Sequence, residues 1–191
     1  ILSAFHYVFR RADEIAAAYG LTRAQVPLIV NFSFGVSGGP HDGQDRLEEA
    51  IAHLVAQREA LGGAVTVAMP SGNEFLAALH GELRAADATS DEATARWRTQ
   101  PCDRTANYLE IWSPPSQKGA EAAGQPARLR LWPPGATAPL VFNFPALLPA
   151  PPQITAPCAI LPLEIGGRAV GQVSLDLFRG YRWRVMVILA P

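Results

Sequence analysis

The chain has 191 residues, of which 49% are hydrophobic and 17% charged, with a formal net charge of −1 at pH 7. This is enough apolar material for one sizeable core or two small ones, which predicts a globular rather than a disordered chain. The balanced charge gives no electrostatic reason to expect a nucleic-acid partner, and no apolar run approaches the roughly 18–20 residues that a membrane span needs. We therefore expect a soluble protein that binds neither nucleic acid nor membranes.

The chain opens at Ile1 without a methionine, and its first residues already have helical apolar spacing. We expect this start to lie inside a larger protein. The two cysteines, Cys102 and Cys158, lack the clustered spacing of a zinc site or a disulfide framework, so we expect buried small hydrophobes or a chance pair. The cellular compartment stays undecided.

The composition changes along the chain. Fourteen of the 17 prolines lie at or beyond Pro101, whereas residues 1–100 carry Ala/Glu/Arg-rich stretches of helical periodicity. We predict an α/β part at residues 1–90 followed by an all-β part at residues 91–191.

Two helices and two strands are predicted in the first part. A helix from Ile1 to Tyr19 ends at Gly20, and a second from Gln44 to Leu61 ends at Gly62-Gly63. The first should bury one stripe, formed by Phe5, Val8, Phe9, Ala12, Ile15 and Ala16. The second should bury Leu47, Ile51, Leu54 and Val55 against a polar face of Arg46, Glu48, Glu49, Arg58 and Glu59.

The strands Val26–Phe34 and Ala64–Met69 are short, apolar and β-branched, which is typical of parallel strands covered on both faces. The order helix, strand, helix, strand predicts a βαβ unit preceded by a helix, with functional loops at the carboxyl ends of its strands.

The apolar period switches to two from Trp97 onward. Leu109 and Ile111 alternate with Tyr108, Glu110 and Trp112, and Arg182 and Arg184 alternate with the apolar positions of the last strand. Gly166-Gly167 and Arg179-Gly180 are predicted hairpin turns. Short strands separated by Pro/Gly-rich turns predict an antiparallel β-sandwich or jelly roll, with a solvent loop at residues 118–124.

Candidate site residues follow the two strands of the βαβ unit. The first strand ends in Asn31-Phe32-Ser33-Phe34-Gly35 and the second in Pro70-Ser71-Gly72-Asn73. Both segments lie where an open α/β sheet places its active site.

These segments resemble the subtilisin-like (S8) serine peptidase family, in which a strand reading N-x-S-x-G lines the substrate cleft and a strand one helix later ends in A-[AS]-G-N. Asn31, Ser33 and Gly35 match the first pattern, and Ser71-Gly72-Asn73 matches the second. Pro70 stands where Ala is commoner, and Phe34 where Leu is usual. The stretches Gly39–Gly43, Trp97–Thr105 and Tyr108–Trp112 also resemble a bacterial subgroup with a β-rich segment between the Asn and the nucleophile.

The resemblance implies a hydrolase, a subtilase-type serine endopeptidase, in which Asn73 donates a hydrogen bond in the oxyanion hole. It implies that the backbone of Ser33-Phe34-Gly35 pairs with an extended peptide or protein substrate, and that Pro70-Ser71-Gly72 forms the facing wall of the first specificity pocket. No cofactor is expected.

The triad itself is missing from the chain. None of D-[ST]-G, H-G-T or G-T-S occurs, and the subtilisin order of Asp, His and Ser places the first two before this segment and the Ser after it. We expect the remainder of a parent catalytic domain as partner, and no proteolysis by this chain alone.

Each candidate also has a plainer interpretation. Ser71-Gly72-Asn73 has the composition of a simple turn. His41-Asp42 could be taken for a catalytic pair, but sequence neighbours on a Gly-rich loop rarely orient as base and orienter, so we expect this loop to shape the cleft rim. His53 and His80 are expected to be structural or solvated, with no metal site, because neither has a second ligand at metal spacing.

Two other classes of function stay open. A non-catalytic peptide-binding pseudoprotease would share the cleft without a triad. A carbohydrate-binding or adhesion module would use the aromatic residues of the β part, such as Trp112 and Trp132. The alternation of aromatic and arginine residues there favours core on one side and solvated surface on the other.

Overall fold

The computed structural model describes residues 1–35, 37–72, 75–83, 93–100, 102–114, 124–147 and 158–191. The chain forms two compact units, Ile1–Glu82 and Leu83–Pro191. The predicted boundary at residue 90 and most of the predicted solvent loop at 118–124 lie outside the described residues. The fold is a mixed one, with few helices and mostly antiparallel sheets. No helix in the described ranges is long and apolar enough to cross a membrane.

The first unit alternates helices and short strands. Its elements are α1 (Leu2–Ala18), a 3-10 turn (Arg23–Gln25), β1 (Leu28–Asn31), α2 (Arg46–Ala60), β2 (Val65–Ala68) and a second 3-10 turn (Phe75–Ala77). β1 and β2 pair in parallel, with Leu28 opposite Val65 and Asn31 opposite Ala68. This is the predicted element order, with α2 connecting the two parallel strands.

Local signals set the ends of both helices. Asp45 caps α2 by accepting from the Leu47 amide at 2.8 Å, and Glu48 accepts from the Asp45 amide at 3.1 Å, which completes a capping box. Gly20 has a φ of 67° and Gly62 a φ of 81°, the left-handed backbone that ends a helix and that glycine adopts without strain.

The helices cover only one face of the parallel pair. Phe5 of α1 and Ile51 and Leu54 of α2 form a buried cluster against Val30, Phe32 and Val67. The opposite face is open, and Ile29 there is 76% exposed. The expectation of strands covered on both faces was therefore wrong for the described residues, because both helices pack on the same side.

The predicted helix stripes need two corrections. Ile15 is half exposed rather than buried, whereas Ala12 and Ala16 beside it are buried. Arg58 was placed on the polar face of α2, but it is only 4% exposed. Position 58 follows Ile51 and Leu54 by seven and four residues, so it lies on the buried face, where its guanidinium binds Asp13 of α1 at 2.6 Å.

The described residues of the second unit form six strands. They are β3 (Asn107–Trp112), β4 (Arg128–Leu131), β5 (Leu140–Asn143), β6 (Cys158–Ile165), β7 (Arg168–Phe178) and β8 (Arg182–Leu189). Four of them form an antiparallel sheet in the order β3-β8-β7-β6, and β4 and β5 form a separate antiparallel pair. Phe142 and Phe144 join the cluster that contains Val173, Leu175 and Val187, so the β4-β5 pair shares one core with the larger sheet.

Glycines in this unit form the turns between strands and allow one close contact between β7 and β8. Gly166 and Gly167 have φ values of 60° and 76° and connect β6 to β7 as the predicted hairpin turn. Arg179 and Gly180 likewise turn between β7 and β8. At Gly171, a Cβ atom would lie 1.9 Å from the Ile188 carbonyl oxygen, so no larger residue fits there without moving β8.

Candidate functional site

Two segments leave the same edge of the parallel pair. Asn31 lies opposite Ala68 in the register, and the Phe32 amide donates to the Ala68 carbonyl oxygen at 2.9 Å. The ladder therefore extends one residue beyond β1 before the strands end. Residues 33–35 continue from β1 and residues 69–72 from the neighbouring β2, at the carboxyl edge where parallel sheets carry their sites.

The predicted substrate-binding residues are all accessible. Ser33, Gly35, Pro70, Ser71 and Gly72 are exposed. Phe34 is 51% exposed and is partly anchored, because its ring centroid lies 5.9 Å from that of the inward-facing Phe32. The side chains therefore restrict access to neither segment.

The backbone of these segments is open to pairing. Among the residues that the structure describes, none forms a hydrogen bond with the backbone of Ser33, Phe34 or Gly35, or with that of Ser71 or Gly72. Unpaired amide and carbonyl groups on an extended segment are what an added peptide strand requires. The backbone groups of residues 33–35 are unpaired within the described part of the chain.

Gly72 gives the end of β2 a special backbone. Its φ is 100°, a region that residues with a side chain rarely adopt, and a Cβ there would meet no atom within 4 Å. Glycine is thus required for its conformation and not for lack of space. Asn73, the predicted oxyanion donor, follows directly but lies outside the described residues.

An ion-pair cluster fixes the helices behind the strands. Asp13 accepts from Arg58 at 2.6 Å and from Arg23 at 2.9 Å, and Arg58 also lies over the Phe9 ring. Burial raises the pKa of Asp13, but the hydrogen bonds from Arg58 and Arg23 more than offset this, so its pKa lies below the usual range. The Arg58 Nε atom is buried and has no hydrogen-bond partner within the described residues.

Two histidines from different segments of the first unit meet. His41 lies in the loop that connects β1 to α2, and His80 follows the 3-10 turn after β2. Their Nε2 atoms are 3.4 Å apart, and the Nε2 atom of His41 also lies 3.1 Å from the Ser37 carbonyl oxygen. His80 is exposed, as expected of a solvated histidine, and the sequence did not indicate that His41 lies beside it. Their 39-residue separation hides the pairing from a search for metal-ligand spacing.

The other histidine and acid candidates follow the plainer interpretations. His53 is exposed on α2, with Nε2 2.9 Å from the Gln57 side-chain nitrogen. Asp42 accepts from the Gln44 amide at 3.1 Å. Within the described ranges no group of three His, Cys, Asp or Glu side chains comes together.

The cysteines differ from expectation. Cys102 and Cys158 are both exposed and are free thiols rather than buried hydrophobes or a pair. Partial burial and the nearby Asp176 carboxylate raise the pKa of Cys158. The Cys158 thiol is therefore a weaker nucleophile at neutral pH than an ordinary cysteine.

Of the two tryptophans named for a carbohydrate-binding surface, Trp132 is 54% exposed, whereas Trp112 is used within the fold. Trp112 lies under the guanidinium groups of Arg182 and Arg184, at 5.5 and 5.4 Å from its ring centroid. Arg184 also binds Asp176 at 3.0 Å and Glu110 at 3.3 Å. The polar face of the sheet is thus a connected ion-pair network and offers no free aromatic platform at Trp112.

Comparison with known proteins finds no match among family models, curated proteins or solved structures.

Proposed function

We propose that residues 1–82 are part of the catalytic domain of a subtilisin-like serine endopeptidase, and that the β-rich unit is a sandwich of jelly-roll type inserted before the nucleophile. In this proposal Asn73 donates to the oxyanion, Ser33-Phe34-Gly35 pairs with the substrate, and Pro70-Ser71-Gly72 lines the first specificity pocket. The remainder of the parent domain supplies Asp, His and Ser.

One observation carries the proposal. Two exposed segments with unpaired backbone leave adjacent parallel strands at the same edge, and one of them ends at Gly72, immediately before Asn73. A peptide added along residues 33–35 would place its chain beside the end of β2. An Asn at that point is suited to stabilise the negative charge that develops on a carbonyl oxygen under attack.

The open sheet face supports the same proposal. Parallel sheets are rarely stable unless both faces are covered, and two strands are fewer than such a sheet normally has. Here Ile29 is 76% exposed, and Thr66 on the paired strand is exposed as well. Helices of a parent domain would cover this face, and further strands would extend the pair at its edges.

The test replaces Asn73 in the intact parent protein. Asn73→Ala should lower kcat for a peptide substrate by about 10²–10³-fold with little change in KM, because the donor acts on charge that forms only in the transition state. That magnitude is the one known for a subtilisin asparagine rather than one calculated from this chain. Asn143→Ala, an exposed asparagine on β5, is the matched control and should leave kcat unchanged.

Two outcomes would contradict the proposal. An intact parent that neither cleaves peptides nor reacts covalently with a serine-directed fluorophosphonate is not a serine peptidase, and the cleft would then serve peptide binding alone. Steady cleavage by residues 1–191 alone, abolished by Asn73→Ala, would place a complete active site inside this chain.

A further inference from the structure

We propose that His41 and His80 form a binding site for a divalent transition-metal ion, Zn²⁺, Ni²⁺ or Cu²⁺, which ties together the segments that follow β1 and β2. The proposal concerns residues that the peptidase hypothesis does not use, and it stands or falls independently of it. It rests on the geometry of the pair, its accessibility and its place in the fold.

The separation of the two nitrogens fits a shared ion. Zinc binds imidazole nitrogen at about 2.0–2.1 Å in a tetrahedral arrangement, which puts two nitrogen ligands about 3.3–3.4 Å apart. The Nε2 atoms of His41 and His80 are 3.4 Å apart. The ring centroids are 5.0 Å apart and the planes are inclined at 79°, so the rings meet at an edge and do not stack.

The surroundings leave room for the remaining ligands. Both side chains are exposed, so water can fill the open coordination positions. The Ser37 carbonyl oxygen lies 3.1 Å from the Nε2 atom of His41. Since no third His, Cys, Asp or Glu joins the pair among the described residues, the chain supplies two imidazoles and the site suits metals that prefer them.

A hydrogen bond between the two histidines is the alternative to a shared metal ion. One hydrogen on the Nε2 atom of His41, directed at the Ser37 carbonyl oxygen and the Nε2 atom of His80, would also satisfy these contacts. The two descriptions differ in what they predict. Only the metal site binds an added ion through both rings at once.

The two histidines lie on different segments of the fold, so a bound ion would link those segments. His41 lies on the loop after β1 and has a φ of 48°, an uncommon backbone for a residue with a side chain. His80 lies beyond Gly72 and the turn that follows β2. An ion held by both would connect the loop that follows β1 with the segment that follows β2.

Calorimetric titration of the untagged chain with Zn²⁺ or Ni²⁺ tests the site. The exposed thiols of Cys102 and Cys158 also bind such ions, so all variants carry Cys102→Ser and Cys158→Ser. We expect one ion per chain, no binding of Mg²⁺ because it prefers oxygen ligands, and an affinity at least about tenfold weaker in His41→Ala and in His80→Ala.

His53→Ala is the matched control, since it removes an exposed histidine outside the pair and should leave the affinity unchanged. Nitrogen NMR of the imidazoles provides a readout that does not depend on a variant's folding. The Nε2 signals of His41 and His80 should shift together on adding Zn²⁺, while that of His53 stays in place. Equal affinity in the His41→Ala or His80→Ala variant, or absence of the joint shift, would overturn the proposal.

Discussion

The four-stranded sheet of the second unit has its apolar face covered by its own chain, whereas the parallel pair of the first unit has one face bare. Val173, Leu175 and Val187 are fully buried in the second unit, but Ile29 on the bare face of the first is 76% exposed. A sheet that buries its apolar side is stable by itself, while a parallel pair requires cover on both sides. The unit with the candidate site is thus the less completely covered one.

The two units can be followed separately in one experiment. All four tryptophans lie at or beyond Trp97, in the second unit, and both described α-helices lie in the first. Tryptophan fluorescence therefore reports unfolding of the β-rich unit, and circular dichroism at 222 nm reports mainly the α/β unit.

The largest effect is expected from Gly171→Ala. The added Cβ would lie 1.9 Å from the Ile188 carbonyl oxygen, so β7 and β8, the two inner strands of the best-covered sheet, must separate where Gly171 pairs with Leu189. We expect the free energy of unfolding to fall by about 3 kcal/mol or more in the fluorescence transition. Gly124→Ala, where a Cβ meets nothing within 4 Å, is the control, and an equal loss there would refute the close-packing explanation.

An intermediate effect is expected from Asp13→Asn. It leaves Arg58, which is 4% exposed, without its carboxylate, and should lower the stability of the α/β unit by about 2 kcal/mol at pH 7. The transition at 222 nm measures this. Glu14→Gln, which breaks the exposed ion pair of Glu14 with Arg10, is the control. It should lower the free energy of unfolding by less than Asp13→Asn does.

The Asp13 carboxylate should also make the stability of the α/β unit depend on pH. Because the pKa of Asp13 is lower in the folded chain than in the unfolded one, its contribution is complete above the ordinary aspartate pKa and is lost as the pH falls through the folded value. The stability of the α/β unit should therefore fall as the pH is lowered from about 4. Asp13→Asn should flatten this decline, and an unchanged profile would show that other carboxylates cause it.

The smallest effect is expected from Ile29→Thr. The side chain lies on the bare face, so in this chain the free energy of unfolding should change by no more than about 0.5 kcal/mol. Val30→Ala, on the face that contacts both helices, should cost more. A large loss at Ile29 would show that its face is covered in solution, which would remove the difference between the two sheets.

Much of the local structure was predictable from the residues. Helix ends follow from Asp45, Gly20 and Gly62, because capping oxygens and left-handed glycines act within one turn of the chain. The hairpin at Gly166-Gly167 follows from the need for positive φ at both positions. The subtilisin-like resemblance and the role of Asn73 stay predictions.

The predictions that were wrong concerned features that depend on contacts between residues far apart in the sequence. The alternation of apolar residues in β1 indicates which side chains share a face but not whether a second layer covers the other face. Arg58 was assigned by its charge, although its position in the helical period placed it on the buried side, where Asp13 binds it. Cysteine exposure likewise depends on what packs around each thiol.

The sequence by itself determined the helices, the strands and the segments that follow them, because those depend on interactions within a few residues. Only the tertiary structure decided that Arg58 meets Asp13 across 45 positions and that His41 meets His80 across 39. Such pairs depend on how whole elements pack, since α2 must cross from β1 to β2 before the loops at their ends can meet. The bare face of the parallel pair has the same origin, in two helices that pack on one side.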